Sequence, residues 1–228
     1  MRLRALICGE ARLLYKYGII QLYCIFTAIY LCLLAAIPSS AKEATAAVLV
    51  FTDPAAMGLF FMGAMVLFEK SQRIESSLAV APIKISEYIF GKVLPLMVVG
   101  IMVGAVLCFF AGIKNTVLAL LGVALSSVLF SLCGLMVGSN IKTLSGFMIA
   151  TVPFEIFICV PALLFLFGVL KSELWLLHPG VPAIRLICGD TNHWYLSAMS
   201  LMLWIVPAYL LCKKAVVRSF CAMGGVKL

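Results

Sequence analysis

The sequence predicts an all-α polytopic membrane protein with six transmembrane helices. Three observations predict it: an extreme apolar composition, six long apolar runs, and basic residues gathered on one side of those runs. Of 228 residues, 64% are hydrophobic and 11% charged, and the mean hydropathy is +1.18. Soluble domains are about 45–50% apolar and about 25% charged. The length suits a single transmembrane domain, 1–228, with no room for a second enzyme-sized module. The first apolar run starts only near Tyr17, which does not fit a secretory leader, so no cleavage is expected.

A hydrocarbon core of about 30 Å requires roughly 20 mainly apolar residues. Six runs qualify, at 17–37, 48–68, 93–112, 117–138, 147–170 and 194–212, with a break possible in the fifth at Pro153 or Pro161. Basic residues near span ends are retained in the cytoplasm. With the N-terminus inside, that side holds Arg2, Arg4, Arg12, Lys16, Lys70, Arg73, Lys84, Lys92, Lys142, Lys213, Lys214, Arg218 and Lys227. The opposite side holds Lys42, Lys114, Lys171 and Arg185. Thirteen against four accounts for all 17 Lys and Arg residues. The expectation is a multi-pass protein of the cytoplasmic membrane with both termini inside. A net charge of +8 flanks the apolar runs and forms no aromatic-interleaved patch, which argues against a nucleic-acid partner.

Three segments outside the spans carry their own patterns. In residues 1–16, Leu3, Leu6, Ile7, Leu13, Leu14 and Tyr17 share a helical face, with Arg2, Arg4, Arg12 and Lys16 off it. That is the pattern of an interfacial amphipathic helix. Glu10 falls inside the apolar arc, so it either snorkels or pairs with a basic residue from another segment. In residues 69–92, a short helix is expected with Ile74 and Leu78 on one face and Glu69 and Arg73 on another. Pro82 ends it, and a new helix starts near Ser86 with Tyr88 and Lys92 one turn apart. Residues 171–193 are too apolar for a solvated loop and too interrupted to span, which predicts re-entrant or interfacial outer helices. Lys114 marks a tight turn that makes spans three and four a hairpin.

No catalytic residue is expected. The sequence has no G-x-x-x-x-G-K-[ST] phosphate cradle and no H-E-x-x-H, and His178 and His193 both lie outside the predicted spans. No metal site is expected, and the nine cysteines read as small packing residues. The carboxylates inside spans are the functional candidates, because a charge in lipid is costly. Asp53, just before Pro54, either N-caps span two or lines a pathway. Glu155, between Pro153 and Pro161 in a helix expected to break, either lines a polar pathway or pairs within the bundle. Gly100 with Gly104, and Gly134 with Gly138, form G-x-x-x-G spacings that serve packing within the bundle or association of subunits.

Together, the amphipathic start, six spans and the 69–92 loop resemble the membrane subunits of type 2 ABC exporters, and within them the small permeases associated with fluoroquinolone export. The resemblance covers essentially the whole chain. It rests on Glu69 as the acidic start of the loop, Arg73 to Val80 as a short amphipathic helix, Ala81-Pro82, Lys92 ten residues on, and the outer run PGVPAIR from Pro179 to Arg185. Arg73 stands where that family often has glycine, and Glu75 where it often has leucine. The resemblance implies that the loop is a coupling helix docking on a separate ABC ATPase subunit. Glu69, Arg73, Ile74, Glu75, Leu78, Pro82, Lys92 and Glu10 would transmit motion from that subunit. ATP and Mg would be held by the ATPase, and no cofactor by this chain. It implies a second permease subunit, in a homodimer or heterodimer, and a pathway for a hydrophobic or amphipathic drug, peptide or lipid past Asp53, Pro153, Glu155 and Pro161. An ion- or proton-driven carrier working alone, or a non-transporting immunity or scaffold protein, are the rival expectations.

Overall fold

A computed structural model describes residues 2–72, 74, 83–170 and 172–222. The described residues are helical and contain no strand. The helices are α1 (Arg2–Lys16), α2 (Ile19–Ala36), α3 (Ser39–Val50), α4 (Met57–Ser71), α5 (Ile85–Ala111), α6 (Thr116–Asn140), α7 (Leu144–Leu166), α8 (Gly180–Ile187) and α9 (Trp194–Ala222). A π-helical turn, Phe51–Ala55, joins α3 to α4, and a 3-10 turn, Glu173–Leu177, precedes α8. Six helical stretches are long and apolar enough to cross a membrane: α2, the composite Ala41–Ser71, α5, α6, α7 and Trp194–Cys221. A helix satisfies its backbone groups within its own segment, which suits an apolar chain of this kind.

Span α6 is the most buried of the six, and α2, α7 and α9 are the least. Around α6 the bundle closes through small residues. A Cβ on Gly134 would run into the backbone of Leu59, one on Gly138 would touch the Cα of Gly63 at 3.0 Å, and one on Gly63 would enter the ring of Phe147. Gly104 faces Val123 in the same way. Gly104, Gly134 and Gly138 are therefore intramolecular contacts, so close approach of α4, α5 and α6 gives the dispersion energy that lipid-solvated helices depend on.

The two ends of the bundle are defined by crossing contacts. At one end, Tyr17 stacks on Phe68 at 5.5 Å and Tyr88 meets Phe220 edge-on at 5.2 Å. Tyr209 donates to Ser86 Oγ at 3.1 Å. This end thus gathers α1, the end of α4, the start of α5 and the last turns of α9. At the other end, Asn115 donates to the Gly189 carbonyl at 3.1 Å, Ser200 to Leu176 at 2.6 Å and Trp204 to Leu177 at 2.7 Å. Gly112, at φ 75°, ends α5 and turns the chain through Lys114 into α6, the hairpin expected.

Several expectations need correction. The second span begins near Ala41, earlier than 48, and the sixth extends to Cys221, beyond 212. Helix α7 runs unbroken through Pro153 and Pro161. Pro161 deprives the Phe157 carbonyl of its helical partner, and the His178 imidazole, its ring 4.6 Å from the Phe157 ring, lies close enough to interact with that carbonyl. Burial shifts His178 downward, so the ring is neutral at physiological pH. Asp53 is not an N-cap: it lies inside the π turn, and the Ala56 N–H reaches back to Phe51 at 3.2 Å.

Thermal unfolding of the protein in lipid nanodiscs checks the packing. Gly134→Val, which forces α6 off α4, is expected to cost about 1–3 kcal/mol or more. Gly9→Ala, with nothing within 4 Å of the added methyl, is expected to be neutral or to stabilise by up to about 1 kcal/mol.

Candidate functional site

Three helices far apart in sequence converge where α4 leaves the bundle and α5 re-enters it. Glu69 lies in the last turn of α4, Lys92 two turns into α5, and Glu10 midway along α1. Lys92 Nζ donates to Glu10 Oε1 at 2.8 Å and to Glu69 Oε1. Tyr88, one turn before Lys92, donates to Glu69 Oε2 at 3.3 Å, and its ring lies 5.1 Å from the ammonium. The side chains of Lys92 and Glu69 are each 1% exposed and that of Glu10 is 10% exposed.

Local sequence explains how α1 reaches this point. Leu6, Glu10 and Leu14 follow at i, i+4 and i+8 and form its inward stripe; Leu14 is 1% exposed. Gly91 leaves the room, since a Cβ there would sit 3.1 Å from Leu6 Cβ. Arg4, Arg12 and Lys16 face outward. Glu10 thus takes the second of its two expected roles: it is paired, with a lysine 82 positions away. Its carboxyl is shifted upward, first by burial and further by Glu69, with Lys92 opposing.

Beside the cluster, Lys70 caps α6. Its ammonium donates to the carbonyls of Gly138 at 2.8 Å, Ser139 at 2.6 Å and Ile141 at 3.1 Å. Those are orphan carbonyls at the negative end of a helix dipole, where a cation is favoured. Adjacent residues Glu69 and Lys70 therefore tie the end of α4 to α1 and α5 on one side and to α6 on the other. The root of the 73–82 segment is held by two hydrogen bonds to Glu69 and three from Lys70.

At the opposite end, α8 is buried along its whole length. Arg185 donates from Nη1 to Glu173 at 3.1 Å and from Nε to Asp190 at 2.9 Å. Burial works against its charge, but Asp190 and Glu173 outweigh it and the guanidinium is held more firmly protonated. One arginine fastens the 3-10 turn and the segment leading to α9 onto α8.

The remaining site residues fall in different places. Asp53 is 2% exposed, and neither carboxylate oxygen makes a complete hydrogen bond among the described residues. The Tyr30 hydroxyl of α2 is close enough to interact with it. Glu155 is half-buried on α7, with no ion pair to another described residue; Pro153 is exposed and Pro161 half-buried on the same helix. Ile74 is helical and half-buried. Arg73, Glu75, Leu78 and Pro82 lie outside the described residues, as does the turn at Pro82. No three His, Cys, Asp or Glu side chains among the described residues are grouped as metal ligands. Sequence reading missed the Lys70 cap and the Arg185 clamp; a lysine at a span's end facing another helix terminus, and Glu173 and Asp190 flanking Arg185, were the available signals.

No protein-family model matches the chain, and no curated protein was found to match it. The site defines a polytopic helical membrane protein with an ionic anchor at one end of its bundle.

Unfolding in detergent micelles tests the anchor. Lys92→Met strands two buried carboxylates and is expected to cost about 3–5 kcal/mol. Adding Glu10→Gln and Glu69→Gln removes the stranded charges and is expected to recover most of that loss.

Proposed function

We propose that the chain is the transmembrane subunit of an ATP-driven ABC exporter of the type 2 kind, forming half of a pathway for a hydrophobic or amphipathic substrate. The observation that carries this reading is the convergence of Glu10, Glu69 and Lys92 in one buried cluster at the root of the 73–82 segment. Force applied to a short loop moves a bundle only if the loop's root is rigid. Here that root is bonded directly to α5 and through Lys92 to α1, and Lys70 bonds it to α6.

In this reading the end that holds α1, the cluster and the last turns of α9 faces the cytoplasm, in line with the thirteen-to-four distribution of basic residues. Helix α1 is the interfacial helix, the 73–82 segment is the coupling helix, and the buried α8 with its 3-10 turn caps the outer side. Ile74 and Leu78 supply the apolar anchor in a cleft of the ATPase, and Arg73 and Glu75 orient it. ATP and Mg belong to the ATPase; this chain contributes no catalytic group. A second permease subunit covers the least buried spans, α2 and α7 among them, and gives Glu155 an environment other than lipid. Substrate would pass between subunits, beside α7 with its prolines.

Co-expression with an ABC ATPase encoded beside the gene is the direct test. The expected result is a stable complex with ATPase activity, in which Leu78→Asp leaves membrane insertion intact and lowers ATP hydrolysis at least tenfold. Unchanged activity in that variant overturns the coupling assignment.

A carrier driven by an ion or proton gradient is the second reading, favoured by two intramembrane carboxylates with no cationic partner among the described residues, Asp53 and Glu155. It predicts uptake into vesicles energised by a proton gradient alone, abolished by Glu155→Gln. The exporter reading predicts no transport there without the ATPase.

A further inference from the structure

The Glu10–Lys92–Glu69 cluster is out of electrical balance. Two carboxylates share a single ammonium, and all three groups are withdrawn from water. The hydrogen bonds are unevenly divided as well. Glu69 uses both oxygens, one taking Lys92 and the other Tyr88. Glu10 uses only Oε1, and its Oε2 is buried with no partner among the described residues.

We infer that the cluster is a proton-binding site, with the proton carried by Glu10 and with Lys92 and Glu69 as the ion pair beside it. A buried carboxylate left with an empty acceptor is costly when charged and much cheaper when neutral. Of the two, Glu69 is the better served, by an ammonium and a phenol. Among the described residues, the charged groups that act on Glu10 are Lys92 of α5 and Glu69 of α4. Burial and Glu69 both act against its ionised form, and only Lys92 acts for it. With one proton bound the cluster is neutral, and α1 docks through Leu6, Glu10 and Leu14 without an unbalanced charge beneath it. Loss of that proton sets two carboxylates against each other in a dry pocket and loosens α1 from α4 and α5. The site would therefore make α1 docking, and whatever the adjoining loop transmits, depend on cytoplasmic-side pH. The inference stands independently of whether an ATPase is the partner.

Linkage fixes the direction. A carboxyl whose folded state favours the protonated form stabilises the fold most at pH below its ordinary range, and that stability drains away as pH rises through the folded-state value. The full chain in lipid nanodiscs should lose thermal stability as pH is raised from about 5 to about 9. Glu10→Gln should hold the low-pH midpoint throughout. Infrared spectra in a Glu155→Gln background should show, near neutral pH, a protonated-carboxyl carbonyl band that shifts with 13C-glutamate, vanishes in Glu10→Gln, and loses its isotope shift in Glu10→Asp but keeps it in Glu69→Asp. An unchanged pH slope in Glu10→Gln, or a band that follows Glu69, overturns the assignment. So does the absence of any glutamate acid band with Glu10 and Glu69 both intact, a result that requires no substitution in the cluster to fold.

Discussion

Burial of Lys92 is the constraint from which the rest of one end of the bundle follows. An ammonium at the edge of hydrocarbon costs several kcal/mol unless it is met by carboxylates at bonding distance. Two are supplied, and they come from different helices, so satisfying one charge fixes the angle at which α1 lies against α5 and the height at which α4 ends. Gly91 and Leu6 then settle how closely α1 can approach. Lys70, the residue after Glu69, points to the other side of α4 and takes the last carbonyls of α6. Consecutive residues of a helix point about 100° apart. The Glu69-Lys70 dipeptide is thus able to serve two neighbours at once, and the end of α4 becomes a junction.

The opposite end is solved with the same chemistry. Arg185 sits on a short helix with no exposed face, and its partners Glu173 and Asp190 come from the irregular segments on either side. His178 lies near the carbonyl that Pro161 leaves idle, between Phe157 and Trp175. At this end the irregular segments are held by polar side chains from neighbouring elements. That is the pattern expected where water is not at hand to do so.

How much of this was legible in the sequence depends on the range of the interaction concerned. Six spans, the Lys114 hairpin and the α5 start near Ser86 follow from local apolar length and turn chemistry, and all are present. Glu10 was legible as an anomaly, because a carboxylate in an apolar arc demands a partner, but the partner lies 82 positions away and no local pattern names it. Helix α7 was misjudged for the same reason: Pro161 signals a break only if nothing accepts the idle carbonyl, and His178 is seventeen residues further along. Ends of spans were misplaced where polar residues such as Lys42, Glu43, Lys213 and Lys214 continue a helix past its apolar portion.

Asp53 shows what the π turn accomplishes. Pro54 cannot donate to the ladder, and an ordinary helix would carry that defect as a single idle carbonyl. Here the chain widens by one residue per turn over Phe51–Ala55, and π turns of this kind recur at functional sites because they re-aim a side chain without breaking the helix. The residue re-aimed is Asp53, placed toward Tyr30 and buried to 2%. A proline and a carboxylate side by side in a span each carry a cost; together they place an acidic group where regular helix geometry would have put it elsewhere. Its position, about 16 residues or roughly 24 Å along the helix from Glu69, sets it apart from the anchoring cluster. Besides Glu43 near its start, the composite span α3–α4 therefore carries one carboxylate tied into an ion pair at its end and another in its interior with no cationic partner among the described residues.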